Sequence, residues 1–263
     1  MGLEPWLVGE TIDEVVIRNT ALREKVDVRG LRSGTLGRRI TSLGRRAKYL
    51  LVHLDGGCTL VVHLGMSGRL TLAAASRPVE KHEHASFTLS SGGTLRFRDP
   101  RRFGLLFVLP TADLTSDRHF SHLGVEPLEP SFDGVFLRDR CRGRRAPVKS
   151  FLMDARNVVG LGNIYVTEAL YRAGVHPLRS VARISRLRWD RLAVSIQAVL
   201  EQAIAEGGTT LRDYRNAEGG QGYFQVSLAV YGREREECGA CGRTIRRVVL
   251  AGRSTFYCPR CQR

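Results

Sequence analysis

Four cysteines near the end of the chain are spaced for metal chemistry: Cys238-x2-Cys241, sixteen residues, then Cys258-x2-Cys261. Two tight turns that each present a pair of thiolates fill a Zn2+ tetrahedron and leave no position for a water nucleophile. The spacing therefore reads as one structural zinc. A redox pair or two disulfides would need a secreted context or a thioredoxin-like βαβ unit, and the sequence offers neither. Cys58 and Cys141 stand alone. A second signal is the scarcity of lysine: among 41 Lys and Arg, only Lys25, Lys48, Lys81 and Lys149 are lysine. Arg-favouring codon usage accounts for that bias in general. A lysine kept in such a chain still raises the question whether its position needs a titratable amine rather than a fixed cation. The run Lys81-His82-Glu83-His84 lacks the His-Glu-x-x-His spacing of a helical zinc site and is not read as a metal centre.

The net charge is +15 and the sequence pI about 10.3. A polycation gains affinity for nucleic acid by releasing counterions condensed on the phosphates, so nucleic acid is the expected partner. A composition of 43% hydrophobic and 25% charged residues is that of a globular protein and excludes disordered or fibrous classes. No apolar run is long enough to span a bilayer, and the opening residues lack the pattern of an export signal. No membrane partner is expected, and the protein reads as cytoplasmic.

The elements that must position these residues change character along the chain. The first 110 or so residues hold short β runs at 14–18, 49–54, 59–64, 86–90, 94–98 and 104–108. Turns such as Asp55-Gly56-Gly57 and Ser91-Gly92-Gly93 separate them, which predicts an antiparallel sandwich or barrel. From Pro147 the period becomes helical. One short helix runs to Asp154, a second spans Asn163–Ala173 before Gly174, and a third follows Ser185. On the third, Leu187, Leu192, Ile196, Val199, Leu200 and Ile204 form one stripe. The stretch 206–232, rich in glycine with Tyr214, Tyr223, Phe224 and Tyr231, reads as a long functional loop.

Four local sequences then converge in order: Arg45-Arg46-Ala47-Lys48-Tyr49-Leu50, His63-Leu64-Gly65-Met66-Ser67-Gly68, Asp99-Pro100-Arg101-Arg102-Phe103-Gly104 and Val159-Gly160-Leu161-Gly162-Asn163-Ile164-Tyr165. With the cysteine quartet behind them, they resemble the formamidopyrimidine-DNA glycosylase family over essentially the whole chain. The resemblance implies an α+β multidomain protein: an N-terminal antiparallel β-sandwich (1–115), a helix–two-turn–helix domain with a lesion-covering loop (116–222) and a C-terminal zinc finger (223–263). DNA would lie in the cleft between the halves. It implies a monomer working in the bacterial cytoplasm at the nucleoid, on double-stranded DNA containing oxidised bases or abasic sites.

What the resemblance implies for individual residues follows from base flipping, which leaves a gap in the stack. Met66 and Phe103 would fill the gap and Arg101 would bond the orphaned base. Lys48 would sit beside the lesion and assist proton transfer, and Arg253, in a hairpin turn Ala251-Gly252-Arg253, would insert beside the lesion and its phosphate. His82, Arg144, Lys149, Asn163, Tyr231 and Arg247 would contact DNA, and the loop 209–223 would cover the flipped base. The resemblance leans toward oxidised purines as substrates. An endonuclease VIII-like enzyme for oxidised pyrimidines and a non-catalytic, zinc-dependent binder of damaged DNA are the alternatives.

One departure matters for chemistry. The family opens Met-Pro-Glu-Leu-Pro-Glu-Val-Glu-Thr, and its nucleophile is the proline amine, a group that is partly neutral near physiological pH. This sequence opens Met1-Gly2-Leu3-Glu4-Pro5 and matches the family from a point past that segment. The nucleophile and its glutamate are therefore expected to be absent from these residues. Gly2 would lie about 15 Å along a helix from the required place.

Overall fold

A computed structural model describes residues 2–206 and 228–263. The loop 209–223, read above as covering the lesion, lies outside the described residues. Those described fall into two compact units, 2–121 and 122–206 with 228–263.

The first unit opens with α1 (Glu4–Leu7) and β1 (Ile12–Ile17), then α2 (Val28–Thr35), whose N-terminus Asp27 caps by accepting from Gly30 N–H at 3.1 Å. Strands β2 (Ile40–Arg46), β3 (Tyr49–Leu54), β4 (Cys58–His63), β5 (Arg69–Ala74), β6 (Glu83–Leu89), β7 (Gly93–Arg98) and β8 (Leu105–Pro110) follow. They form two antiparallel four-stranded sheets, ordered β1-β6-β7-β5 and β2-β3-β4-β8. Val52, Leu60, Phe87, Leu95, Phe97 and Leu106 fill the space between them. This is the sandwich that the turn spacing predicts.

Two of its strands and α2 escaped the sequence reading. Strand β2, Ile-Thr-Ser-Leu-Gly-Arg-Arg, holds a glycine and four polar residues, and β5 ends in alanines. Neither has the β-branched and aromatic content that marks a strand locally, and each is fixed instead by pairing, β2 with β3 and β5 with β7.

The second unit contains α3 (Gly134–Arg140), α4 (Val148–Met153), α5 (Asn163–Arg172), α6 (Arg186–Ala205) and the hairpin β9 (Arg246–Leu250) and β10 (Arg253–Tyr257). Trp189, Phe132, Phe151, Leu152, Ile196 and Val199 make its core. The expected stripe on α6 is corrected at both ends. Leu187 and Ile204 are 60% and 67% exposed, while Trp189, Ala193 and Ala203 are buried in their stead. A 20-residue helix turning 100° per residue carries end positions off the buried face. The hairpin turn is also one residue shorter than expected. Arg253 pairs with Leu250, so the loop is Ala251-Gly252, both left-handed with φ of 48° and 72°. Two such residues match the twist of the flanking strands.

Candidate nucleic-acid interface and zinc site

In the first unit, strand pairing gathers three loops at one end of a sheet. Tyr49 pairs with His63 and His63 with Leu105, which sets the β2–β3 turn, the β4–β5 loop and the β7–β8 loop side by side. The β2–β3 turn is Ala47-Lys48, with Ala47 at φ 54° and Lys48 exposed. The β4–β5 loop presents Met66, 67% exposed, and the β7–β8 loop presents Arg101 and Phe103, 44% exposed in the latter case. An apolar thioether and an aromatic ring held in water are costly placements unless a partner covers them. The Arg101 guanidinium lies over the Phe103 ring at 4.8 Å, a cation–π pair already formed in the protein alone.

Asp99 holds these loops together. Its buried carboxylate accepts from Ser67 Oγ at 2.7 Å, Arg101 N–H at 3.2 Å and Gly104 N–H at 2.8 Å. Its backbone N–H donates to His82 C=O at 3.0 Å, and its own C=O accepts from His84 Nε2 at 2.7 Å. Gly65 lets the Met66 loop approach the other closely: a Cβ there would stand 2.6 Å from Phe103 C. His82 is exposed with a left-handed backbone, φ 69°. Partial desolvation and the charges of Lys81, Arg98, His84 and Arg102 hold its imidazole below the usual range. His84 is buried, and its Nε2 is already engaged by the Asp99 carbonyl.

His63, part of the second motif but given no role from sequence, belongs to this cluster. Its Nδ1 accepts from Gly65 N–H at 3.0 Å, leaving Nε2 to carry the proton. Burial, with the charges of Lys48 and Arg23, pushes its pKa down to about 4. At neutral pH it is an uncharged donor beside a lysine.

In the second unit α5 does the positioning. Asn163 in its first turn donates Nδ2–H to Ser254 C=O at 2.9 Å, and Thr167 Oγ1 closes back on Asn163 C=O at 2.7 Å. Glu168, 1% exposed, accepts from the N–H groups of Ala229, Val230 and Tyr231 at 2.8, 3.0 and 2.8 Å and so sets Tyr231. Tyr171 places its hydroxyl 3.2 Å from Cys238 Sγ. Tyr231 packs edge-on against Phe256 with centroids 5.1 Å apart. Arg253 is exposed at the hairpin turn, and Arg247 donates Nε–H to Ser254 Oγ at 3.1 Å while lying 3.5 Å from Glu234.

Lys149 is placed unlike a surface cation. It is 1% exposed, and its ammonium donates to Thr255 Oγ1 at 2.7 Å and Ser254 C=O at 3.2 Å. Burial and the neighbouring Arg253 push its pKa down to about 8. Lys149 and Asn163 thus converge on one carbonyl, that of the residue after Arg253. Arg144, by contrast, is exposed, 6.0 Å above the Phe151 ring. Sequence reasoning missed Asp99, His63, Glu168 and Thr255 as site residues. The first two lie inside the recognised motifs, while the last two carry no local signal.

The four cysteine sulfurs all lie within 4.8 Å of one another. Burial opposes ionisation of Cys238, yet hydrogen bonds led by the Tyr171 hydroxyl bring its thiol down to about 6, while burial and the neighbouring sulfurs push Cys261 up to about 12. Four thiol sulfurs gathered at this distance with the C-x2-C…C-x2-C spacing fit a divalent cation, which stabilises them as thiolates. Cys238, Cys241, Cys258 and Cys261 form one structural zinc site. Among the described residues no helix is long and apolar enough to cross a membrane.

Three family matches cover most of the chain: the formamidopyrimidine-DNA glycosylase N-terminal domain at 1–106, the formamidopyrimidine-DNA glycosylase H2TH domain at 123–215, and the zinc finger found in FPG and IleRS at 235–263. The formamidopyrimidine-DNA glycosylase of Halorhodospira halophila is 49% identical, over 100% of this chain and 96% of that protein. That of Xanthomonas campestris pv. campestris is 45% identical with the same coverage. Among solved structures, Lactococcus lactis Fpg in complex with abasic-site DNA has a TM-score of 0.92 at 32% identity, covering 99% of this chain and 95% of that one. The MutM (Fpg) protein of Thermus thermophilus gives 0.88 at 39%, covering 99% and 94%. With relatives at 49% and 47% identity along its full length, the chain belongs to the formamidopyrimidine-DNA glycosylase family.

Proposed function

We propose that the chain serves as a base-excision repair DNA glycosylase with AP lyase activity, acting on oxidised purines in duplex DNA in the bacterial cytoplasm. The observation that carries the reading is the Asp99 clip, which holds an exposed methionine and an exposed arginine–phenylalanine pair on adjoining loops beside Lys48. Such a group is suited to a duplex from which a nucleotide has been turned out. Met66 and Phe103 occupy the space the base leaves, and Arg101 bonds its former partner. Lys48 supplies a titratable amine beside the sugar, and uncharged His63 donates to a phosphate oxygen.

The second unit supplies backbone contacts. Arg253 at the hairpin turn, Arg247, Arg144 and Tyr231 meet phosphates, and His82 does so from the first unit. Asn163 and Lys149 act where the hairpin meets α5 and α4. The division at 115/116 and 222/223 into sandwich, helical domain and zinc finger is supported by the separate family matches. In solution the protein is a monomer.

Base removal and strand cleavage use an amine that attacks the sugar C1′ and expels the base. The resulting iminium then acidifies the adjacent carbon for elimination. In the family this amine is that of the N-terminal proline, and the segment Met-Pro-Glu-Leu-Pro-Glu-Val-Glu-Thr does not occur in these 263 residues. The test is borohydride trapping on abasic-site duplex, with the chain alone and with that segment and its linking helix placed before Gly2. Binding by both, with covalent complex from the extended chain only, supports the DNA-repair reading and assigns its chemistry to the proline amine of that segment. Equal trapping by both would move the nucleophile elsewhere, with Lys48 first. An extended chain that binds and stays inert would favour a binding protein without chemistry.

A further inference from the structure

The β5–β6 loop carries His82 at its end, and in its sequence, Ala75-Ser76-Arg77-Pro78-Val79-Glu80-Lys81, only Pro78 restricts the backbone locally. It is nevertheless fastened from strand β7. Arg96 is 7% exposed, and its guanidinium donates to Arg77 C=O at 2.7 Å, Pro78 C=O at 3.0 Å and Ala74 C=O at 3.2 Å. It also pairs at 3.4 Å with Glu83 Oε2, which in turn accepts from Glu80 N–H at 3.3 Å. Glu83 is 6% exposed, and its other oxygen lies 3.1 Å from Arg18. Two residues further along β7, Arg98 donates Nε–H to Lys81 C=O at 2.8 Å. Four carbonyls, counting that of Ala75 at 3.5 Å, and a carboxylate around one planar fork is an arrangement that lysine, a point charge with three donors, cannot reproduce.

We infer that Arg96 is a positioning residue for DNA binding: buried beneath the β5–β6 loop, it shapes that loop so that His82 is presented to the phosphate backbone. The inference rests on the proposed role of His82 as a DNA contact. Its physical basis is the cost of burying a guanidinium, which hydrogen bonds to its nitrogens offset. Here carbonyls of the loop and the Glu83 carboxylate meet both terminal nitrogens, while Nε–H is left without a partner, so the loop shape and the buried charge require each other. The left-handed backbone of His82 is unfavourable for a residue with a Cβ and persists only where its surroundings impose it. Arg98 on the Lys81 carbonyl and Asp99 N–H on the His82 carbonyl do so directly. Arg96 sets the part of the loop that leads into them.

The test combines Arg96→Lys, His82→Ala and the double variant, each measured for binding to abasic-site duplex at fixed salt. His82→Ala should weaken binding about five-fold, as expected for loss of one charge-assisted or neutral backbone contact. Arg96→Lys should weaken it by a similar factor, and the double variant should be no weaker than either single one, because both changes remove the same contact. Arg96→Lys with Arg253→Ala should multiply instead. Losses that multiply in the Arg96–His82 pair would show that Arg96 acts on folding generally and would overturn the inference while sparing the role of His82. No effect of His82→Ala would overturn both.

A second measurement stands if Arg96→Lys lowers stability. Trypsin cleaves after Lys81, which is exposed, while Pro78 protects the bond after Arg77. On the native protein, Arg96→Lys should raise the rate of cutting after Lys81 about ten-fold relative to cutting elsewhere, since local opening governs access. A uniform rise at all sites, or none after Lys81, counts against the inference. Glu83→Gln, which keeps shape and removes charge, should produce the same selective rise.

Discussion

Ser67 Oγ donates to Asp99 Oδ1 across 2.7 Å, joining the loop that carries Met66 to the loop that carries Arg101 and Phe103. The two residues are 32 positions apart in sequence, and the bond is buried. It converts three separately exposed side chains into one preformed group. The ordering entropy of that group is thus met largely on folding rather than on binding.

Asp99→Ala orphans the Ser67 hydroxyl proton and the Gly104 N–H, and leaves the Arg101 N–H only its bond to Ser67 Oγ at 3.3 Å. The expected cost is about 3 kcal/mol in denaturant unfolding, since each stranded buried donor costs about 1–3 kcal/mol and some regain water. Binding to abasic-site duplex should fall more than binding to intact duplex. Equal losses on the two DNAs would show that the clip serves stability alone.

The lowered pKa of His63, about 4 against 6.5 for the free side chain, makes a pH prediction. The folded state is the poorer proton acceptor, so His63 leaves stability unchanged above about pH 7. It subtracts stability as pH falls from about 6.5 toward 4. The full effect is on the order of 3 kcal/mol. His63→Gln should flatten that part of the stability–pH curve measured by urea unfolding, and a curve of unchanged slope would contradict the assignment.

Lys149 and Arg144 should separate in salt dependence. Arg144→Ala, if it removes a phosphate contact, should weaken binding to damaged and intact duplex alike and lower the slope of log K against log salt by about one. Lys149→Met keeps the buried volume and loses the bonds to Thr255 and Ser254. It should weaken binding through a loosened Arg253 turn and leave the slope unchanged. A slope reduced in Lys149→Met would place its charge directly on the DNA.

Removal of zinc should unfold the hairpin rather than the sandwich. The sulfurs hold a small core of Val230, Ile245 and Phe256, too few residues to stay folded without the metal. After chelator treatment, amide protection should vanish in 235–263 while β3 and β4 keep theirs, and DNA affinity should drop at least about ten-fold. A protected hairpin in zinc-free protein would refute a structural role.

Much of this protein is legible along the chain because the responsible physics is local. The two Cys-x2-Cys turns lie close in sequence and imply their ion by spacing alone. Alternation bounded by glycine turns marks the sandwich, and the motifs around Lys48, Met66, Arg101 and Asn163 point to the family without any tertiary contact. What only the tertiary structure decided depends on pairs far apart in sequence. Asp99 with Ser67 and Arg96 with the loop carbonyls have no periodicity to announce them, because a buried polar group is satisfied by whatever the fold brings near. Lys149 shows the limit most plainly. Its sequence neighbourhood, a basic run before a short helix, suggests a solvated cation on DNA. In the folded chain Thr255, 106 residues on, accepts its hydrogen bond and water is excluded. Position in the sequence determined that an amine stands there, and burial alone decided what the amine touches.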